Sequence, residues 1–278
     1  MQLFISNTTH TGFIGHANLS SVLIFDSGVG GLSILKHIKA KLPDTQIDYL
    51  ADHAAYPYGE KKETWLINRC QSLIGTMQNK QSYQAIIIAC NTASTLVLPS
   101  LRSNTDTPII GVVPAIKTAS ELSSNKRIGL LATPGTVSRQ YMNELITQFA
   151  PDCQTTRVGS TDMVYLAEEK LHGETIDTAS LKNITQPFAD AQCDYVVLGC
   201  THFPLLKTEL KQLHTQINWI DSGEAIANRV EYVLRQSKQP EHTKTTNQRF
   251  FSTAPILNTL KPQLIEMGFK HFETIEHQ

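Results

Sequence analysis

Ala85-Ile86-Ile87-Ile88-Ala89-Cys90-Asn91-Thr92 and Asp194-Tyr195-Val196-Val197-Leu198-Gly199-Cys200-Thr201-His202 are two apolar runs that each end in a cysteine followed by polar residues. Both read as short buried strands rich in β-branched side chains. A single cysteine at the end of such a strand is usually a small, inert hydrophobe. Two of them at matching ends point instead to one site built by two halves, because open α/β sheets bind ligands just beyond the carboxyl ends of their strands.

Each thiol strand has an upstream companion. Val22-Leu23-Ile24-Phe25-Asp26 runs into Ser27-Gly28-Val29-Gly30-Gly31 and then a helix-like stretch from Leu32. Arg127-Ile128-Gly129-Leu130-Leu131-Ala132 runs into Thr133-Pro134-Gly135-Thr136 and a helix-like stretch from Val137 to Phe149. Asp26 precedes Cys90 by 64 residues and Thr133 precedes Cys200 by 67. A duplicated unit of strand, small-residue turn, helix and cysteine strand accounts for both separations.

The 278-residue chain is long enough for two ordinary domains. Its 41% hydrophobic and 18% charged composition describes a globular protein with a sizeable core. A formal net charge of −1, with no long basic run, gives no nucleic-acid surface. No apolar stretch reaches membrane-spanning length, so no membrane association is expected. Met1 to Ser21 lacks Lys and Arg and a continuous apolar core, which does not fit a secretory signal. The five cysteines are odd in number and scattered, a pattern of free thiols in a reducing cytoplasm. Cys70, Cys153 and Cys193 have no polar constellation around them in sequence and read as structural.

Apolar runs around 22–26, 47–51, 85–90, 109–113, 128–132, 194–199 and 217–220 alternate with amphipathic segments such as Leu32–Lys41, Glu63–Met77 and Val137–Phe149. That alternation predicts an α/β fold of two pseudo-symmetric parallel-sheet domains, with the active site in the cleft between them. Pro43, Pro108 and Pro187 are expected between elements, and Pro134 at a helix start. The expected division is an extension over 1–21, a discontinuous first domain over 22–114 plus 226–278 carrying Cys90, and a second domain over 115–225 carrying Cys200. A polar stretch from Ser237 to Gln248 precedes a last strand at Arg249–Ser252 and a helix from about Ala254 to Met267.

Gly28-Val29-Gly30-Gly31 invites a dinucleotide reading, but Ser33 stands where the third glycine belongs. The glycines fit better as a tight turn beside Asp26 that exposes backbone donors at a helix start. Cys200-Thr201-His202 is a poor metal half-site, since no second pair follows at zinc spacing. A cysteine–histidine protease pairing would explain neither Cys90 nor the duplication. Two opposed thiols suit cofactor-independent amino-acid racemisation: one removes the α-proton, and the other returns a proton to the opposite face.

Phe25-Asp26-Ser27-Gly28-Val29-Gly30-Gly31-Leu32, Tyr56-Pro57-Tyr58-Gly59-Glu60-Lys61, Ala89-Cys90-Asn91-Thr92-Ala93-Ser94, Gly111-Val112-Val113-Pro114-Ala115 and Leu198-Gly199-Cys200-Thr201-His202-Phe203-Pro204-Leu205-Leu206 run in order. Together they resemble the bacterial glutamate racemases of the aspartate/glutamate racemase family. The resemblance implies that Cys90 and Cys200 are the acid/base thiols, the first acting on D-glutamate and the second on L-glutamate. It places Asp26 beside the first thiol, and His202 and Glu168 beside the second, with Glu169 as an adjacent competitor for that role. Substrate contacts fall on Asp26, Ser27, Tyr58, Gly59, Asn91, Thr92, Thr201 and His202, although Tyr58 also reads as a packing residue. No pyridoxal phosphate and no metal are implied.

The same resemblance implies an isomerase making D-glutamate for peptidoglycan, and so for cell-wall biogenesis and cell shape, in the cytoplasm. The chain would act as a monomer or homodimer. The extension before Val22 resembles that of members activated by UDP-N-acetylmuramoyl-L-alanine, which implies the same activator here. Two rivals remain at this point. One is an aspartate racemase on the same plan, and the other a regulatory protein binding DNA gyrase, for which two thiols at strand ends have no use.

Overall fold

The computed structural model describes residues 21–236 and 248–276. The extension apart from Ser21, and the polar stretch 237–248 apart from Gln248, lie outside them. Among the described residues, ten strands form two sheets: β1 (Ser21–Asp26), β2 (Gln46–Ala51), β3 (Ala85–Ile88), β4 (Ile109–Gly111), β5 (Arg127–Ala132), β6 (Gln154–Gly159), β7 (Tyr195–Leu198), β8 (Asn218–Ile220), β9 (Gln248–Ser252) and β10 (Phe269–Thr274). The first sheet is ordered β10-β9-β2-β1-β3-β4 and the second β6-β5-β7-β8. Every strand pair is parallel.

The order β2-β1-β3-β4 in one sheet is repeated as β6-β5-β7-β8 in the other. The repeat extends to single hydrogen bonds. Ala89 N–H donates to the Phe25 carbonyl at 2.7 Å, and Gly199 N–H donates to the Leu131 carbonyl at the same distance. Cys90 and Cys200 therefore sit at equivalent points, two residues past β3 and β7. Each sheet is covered on both faces by apolar clusters, which is why β1 and β3 are buried along their whole length. Each fully buried Val, Ile or Leu of these strands contributes about 1.5–3 kcal/mol.

β9 and β10 complete the first sheet at the free edge of β2, with Tyr49 stacked on Phe250 at 5.2 Å. The helix Gly223–Gln236 packs on the helix Leu32–Lys41, and its Ile226, Ala227 and Val230 enter the same cluster as β1. No helix among the described residues is long and apolar enough to cross a membrane.

Several local expectations are corrected. Pro187 lies inside the helix Thr178–Asp190, not between elements. Burial of Leu181, Thr185 and Phe188 on its inner face outweighs the one backbone bond that proline removes. The expected Val137–Phe149 helix is two pieces, Pro134–Val137 and Gln140–Phe149, because Arg139 is extended and caps the second. Only Lys261–Glu266 of the expected 254–267 helix forms, with Pro262 in its first turn. β1 begins at Ser21, whose hydroxyl donates to the Ser82 carbonyl at 2.8 Å.

Candidate active site

Cys90 is fixed by the turn from β3 into the helix Asn91–Ser103, where it is the residue preceding the first helical turn. Its sulfur, 5% exposed as a residue, accepts from the Ser27 hydroxyl at 3.5 Å. Burial and the neighbouring Asp26 push the thiol up to about 12, against the lowering effect of the Ala93 N–H and the Ser27 hydroxyl. Cys90 is a thiol at rest. Asp26, at the end of β1, accepts from Gly28 N–H at 2.8 Å and from the Thr201 hydroxyl of the second domain at 3.0 Å. Burial raises the Asp26 carboxyl, and His202, Gly28 and Thr201 only partly offset this.

Cys200 occupies the matching turn after β7. His202 Nδ1 lies 3.9 Å from its sulfur, and His202 Nε2 lies 2.7 Å from Glu168 Oε1. Glu168 is supplied by the helix Asp162–Leu171, whereas Glu169 faces an outer groove with Asp162 and Tyr165. Burial opposes a charge on His202. Its hydrogen bonds to Cys200 and Glu168 and the Glu168 charge win, holding the imidazole well above its ordinary value. Burial likewise works to raise Glu168, but the hydrogen bond and charge of His202 bring its carboxyl below the ordinary range. The result is an imidazolium–carboxylate pair facing one sulfur, opposite a neutral thiol.

The glycine run explains how the halves approach so closely. A Cβ on Gly30 would lie 2.6 Å from Thr201 Oγ1 and clash with His202 Nδ1, so only glycine admits the Thr201–His202 turn. Gly31 leaves similar room for the Tyr49 hydroxyl, 2.8 Å from where its Cβ would be. Ser33 donates to the Thr201 carbonyl at 2.8 Å, a second tie from the first domain to the Cys200 turn.

The other expected residues divide. Asn91, buried, has an Nδ2 with no partner among the described residues, a donor left over for a ligand. Thr92 Oγ1 lies 3.5 Å from Thr136 Oγ1, which lies 3.0 Å from Thr133 Oγ1. Gly59 faces Thr133 and Gly135 across the domain interface. The Tyr58 ring shares a buried apolar cluster with Cys90. It turns into the core beside Phe25, and its hydroxyl donates to Asp52 Oδ2 at 2.6 Å.

Asp52 also binds Arg69 in two-point fashion at 2.6 and 2.7 Å and accepts from Thr253 at 2.7 Å. Removing one member of such a buried pair strands the other charge. Asp52→Ala should cost about 3–5 kcal/mol of stability, read as a lowered urea midpoint. An unchanged midpoint would contradict this account of the Tyr58 anchor.

Sequence reasoning did not single out Thr136, Tyr56 or Arg139. Thr136 lies in the second-domain turn equivalent to the Ser27–Gly31 turn, so the repeat itself was the available signal. Tyr56 reaches the second domain's apolar cluster, its ring 5.9 Å from His202. Arg139 donates to the Thr92 carbonyl at 3.3 Å and to Thr95 Oγ1 at 2.9 Å, and pairs with Glu63 at 3.6 Å across the domains.

A family model described as Asp/Glu/hydantoin racemase matches residues 32–230, a span that includes both thiol turns. The chain belongs to the Asp/Glu racemase family. Glutamate racemase of Shewanella sp. strain ANA-3 is 45% identical over 262 residues, covering 91% of this chain and 96% of that relative. Among solved racemases, Escherichia coli glutamate racemase, in complex with L-glutamate and the activator UDP-MurNAc-Ala, superposes with a TM-score of 0.88. That pair is 43% identical and covers 93% of this chain and 98% of the other. Aquifex pyrophilus glutamate racemase gives 0.70 at 30% identity, covering 90% and 95% of the two chains.

Proposed function

We propose that this racemase-family chain interconverts L- and D-glutamate by moving a proton through two thiols on opposite faces of the α-carbon. The observation that carries the reading is the matched pair: Cys90 and Cys200 lie at equivalent points past β3 and β7, each with its own polar partners. From L-glutamate, the Cys200 thiolate takes the α-proton, and the C–H electron pair passes into a carbanion conjugated with the α-carboxylate. The Cys90 thiol then protonates the opposite face and is left as a thiolate. D-glutamate runs the same steps in reverse.

The resting charges suit the first of these directions, because an imidazolium faces Cys200 while Cys90 keeps its proton. The Asp26 carboxylate suits the substrate ammonium. The Asn91 amide, the Ser27, Thr92 and Thr201 hydroxyls and the Gly59 backbone suit its carboxylates. The product serves peptidoglycan synthesis in the bacterial cytoplasm, and UDP-N-acetylmuramoyl-L-alanine activates the enzyme. The E. coli relative, solved with L-glutamate and that activator, supports the substrate and the activator of this reading.

Chiral chromatography of L-glutamate and L-aspartate, incubated separately with the chain and no added cofactor, tests the substrate assignment. Glutamate should racemise, faster with the activator, and aspartate should stay unchanged. Unchanged glutamate would overturn the reading.

A pH profile tests the second thiol's partners. Glu168 helps to raise His202, so the imidazolium persists at lower pH and is lost as pH rises through the raised value. In Glu168→Gln that loss comes earlier. The alkaline limb of kcat/KM for L-glutamate should move to lower pH, and turnover should fall about 10²-fold. An alkaline limb that stays in place would remove the role given to this pair.

A further inference from the structure

The repeat that places the thiols also places two side chains that cross between the domains. Ser33 and Arg139 each stand seven residues past the last residue of their strand, β1 for the first and β5 for the second. Each reaches a backbone carbonyl just after the other domain's thiol. Ser33 Oγ donates to the Thr201 carbonyl at 2.8 Å, one residue past Cys200. Arg139 Nη1 donates to the Thr92 carbonyl at 3.3 Å, two residues past Cys90, and to Thr95 Oγ1 at 2.9 Å. The Thr95 hydroxyl donates to the same Thr92 carbonyl at 2.9 Å, which closes a small network over the first turn of the helix Asn91–Ser103. Arg139 is itself well held: it immediately precedes the helix Gln140–Phe149, its side chain is 15% exposed, and its Nε lies 3.6 Å from Glu63. A cationic donor in so covered a place makes a stronger bond than a neutral one.

We propose that Ser33 and Arg139 form a reciprocal clasp across the domain interface, in which Arg139 is the positioning residue for the Cys90 turn. The inference rests on the two-thiol reading and adds to it how the halves keep their spacing. Cys90, Asn91 and Thr92 open the helical turn that Arg139 holds, so the thiol and the Asn91 amide move with it. The Ser33 side of the clasp is reinforced by the 3.0 Å bond from Thr201 to Asp26, and the Cys90 side by the second bond from Arg139 to Thr95. Arg139 acts through the turn, because both of these bonds go to Thr92 and Thr95.

Arg139→Gln and Arg139→Lys test the clasp in the full chain. Misplacing a reacting group by about 1 Å costs about 10²-fold in rate, so Arg139→Gln should lower kcat on L-glutamate by about that factor while KM changes far less. Both hydrogen bonds leave one nitrogen, so a lysine ammonium can replace them, and Arg139→Lys should regain most of the lost kcat. An unchanged kcat in Arg139→Gln, a loss confined to KM, or a lysine variant no better than the glutamine one would overturn the proposal. Amide hydrogen exchange gives a second readout that needs no turnover. Exchange should quicken over residues 91–95 in Arg139→Gln and over residues 200–203 in Ser33→Ala, with the strands of both sheets unchanged. Exchange that is unchanged in both segments, or raised evenly across a domain, would overturn the clasp. An inactive parent would sink the glutamate reading alone and leave hydrogen exchange to decide the clasp.

Discussion

Cys90→Ala and Cys200→Ala each lower racemisation of both enantiomers by at least about 10³-fold, within the range for removing a positioned acid or base. Both directions fail together because each thiol is the base in one direction and the acid in the other. Neither substitution should unfold the chain. Cys90 and Cys200 are small members of apolar clusters whose bulk comes from neighbours such as Ile88, Leu198 and Phe203, so most of the packing survives. Cys90→Ser should also be nearly inactive, since a hydroxyl in so buried a place is a far weaker base. Initial rates on L- and D-glutamate, with a urea midpoint for each variant, check this. Substantial turnover by a well-folded alanine variant would rule out the two-thiol assignment.

Gly30→Ala carries the second large effect, although it touches neither thiol. The new methyl would lie 2.6 Å from Thr201 Oγ1 and against the His202 Nδ1 edge, too close for any heavy-atom contact. Relief requires the Thr201–His202 turn to retreat. That stretches the 3.0 Å bond from Thr201 to Asp26 and moves His202 relative to Cys200. A displacement near 1 Å at a reacting centre costs about 10²-fold in rate, while overpacking here costs about 1–3 kcal/mol of stability. Gly75 in the helix Glu63–Lys80 is the control, since nothing lies within 4 Å of its Cβ position. Gly75→Ala should leave the rate unchanged and add about 0.4–1 kcal/mol. Equal rates for Gly30→Ala and the parent would show that the domains do not need this close approach.

The α/β class and the repeat were legible because each rests on a strong local signal: an apolar β-branched run, a turn of small residues, and a thiol at the strand end. β6 and β10 left no such signal. Both are sheet edges, and Gln154–Gly159 and Phe269–Thr274 are mostly polar and partly exposed, so neither alternation nor a buried run marks them. Tyr58 illustrates a different limit. Its loop has the turn chemistry of a ligand edge, but the side chain's direction is decided by Asp52 and Arg69, which sequence does not connect to it. The Glu168–His202 pair was within reach only through resemblance. The two residues are 34 apart in the chain, and Glu169 offers the same carboxylate one position along. Tyr56 and Arg139 belong to the domain interface, where no single segment's pattern records what the other half places opposite it.

The most direct measurement of the central claim follows the α-hydrogen through the first turnovers of L-glutamate in deuterium oxide. Thiol protons exchange with solvent, so Cys90 carries deuterium before it meets the substrate. The D-glutamate formed first should therefore be fully α-deuterated while the remaining L-glutamate still holds protium. D-glutamate that keeps the substrate's own α-proton would mean that one group serves both faces, and the two-thiol account would be contradicted.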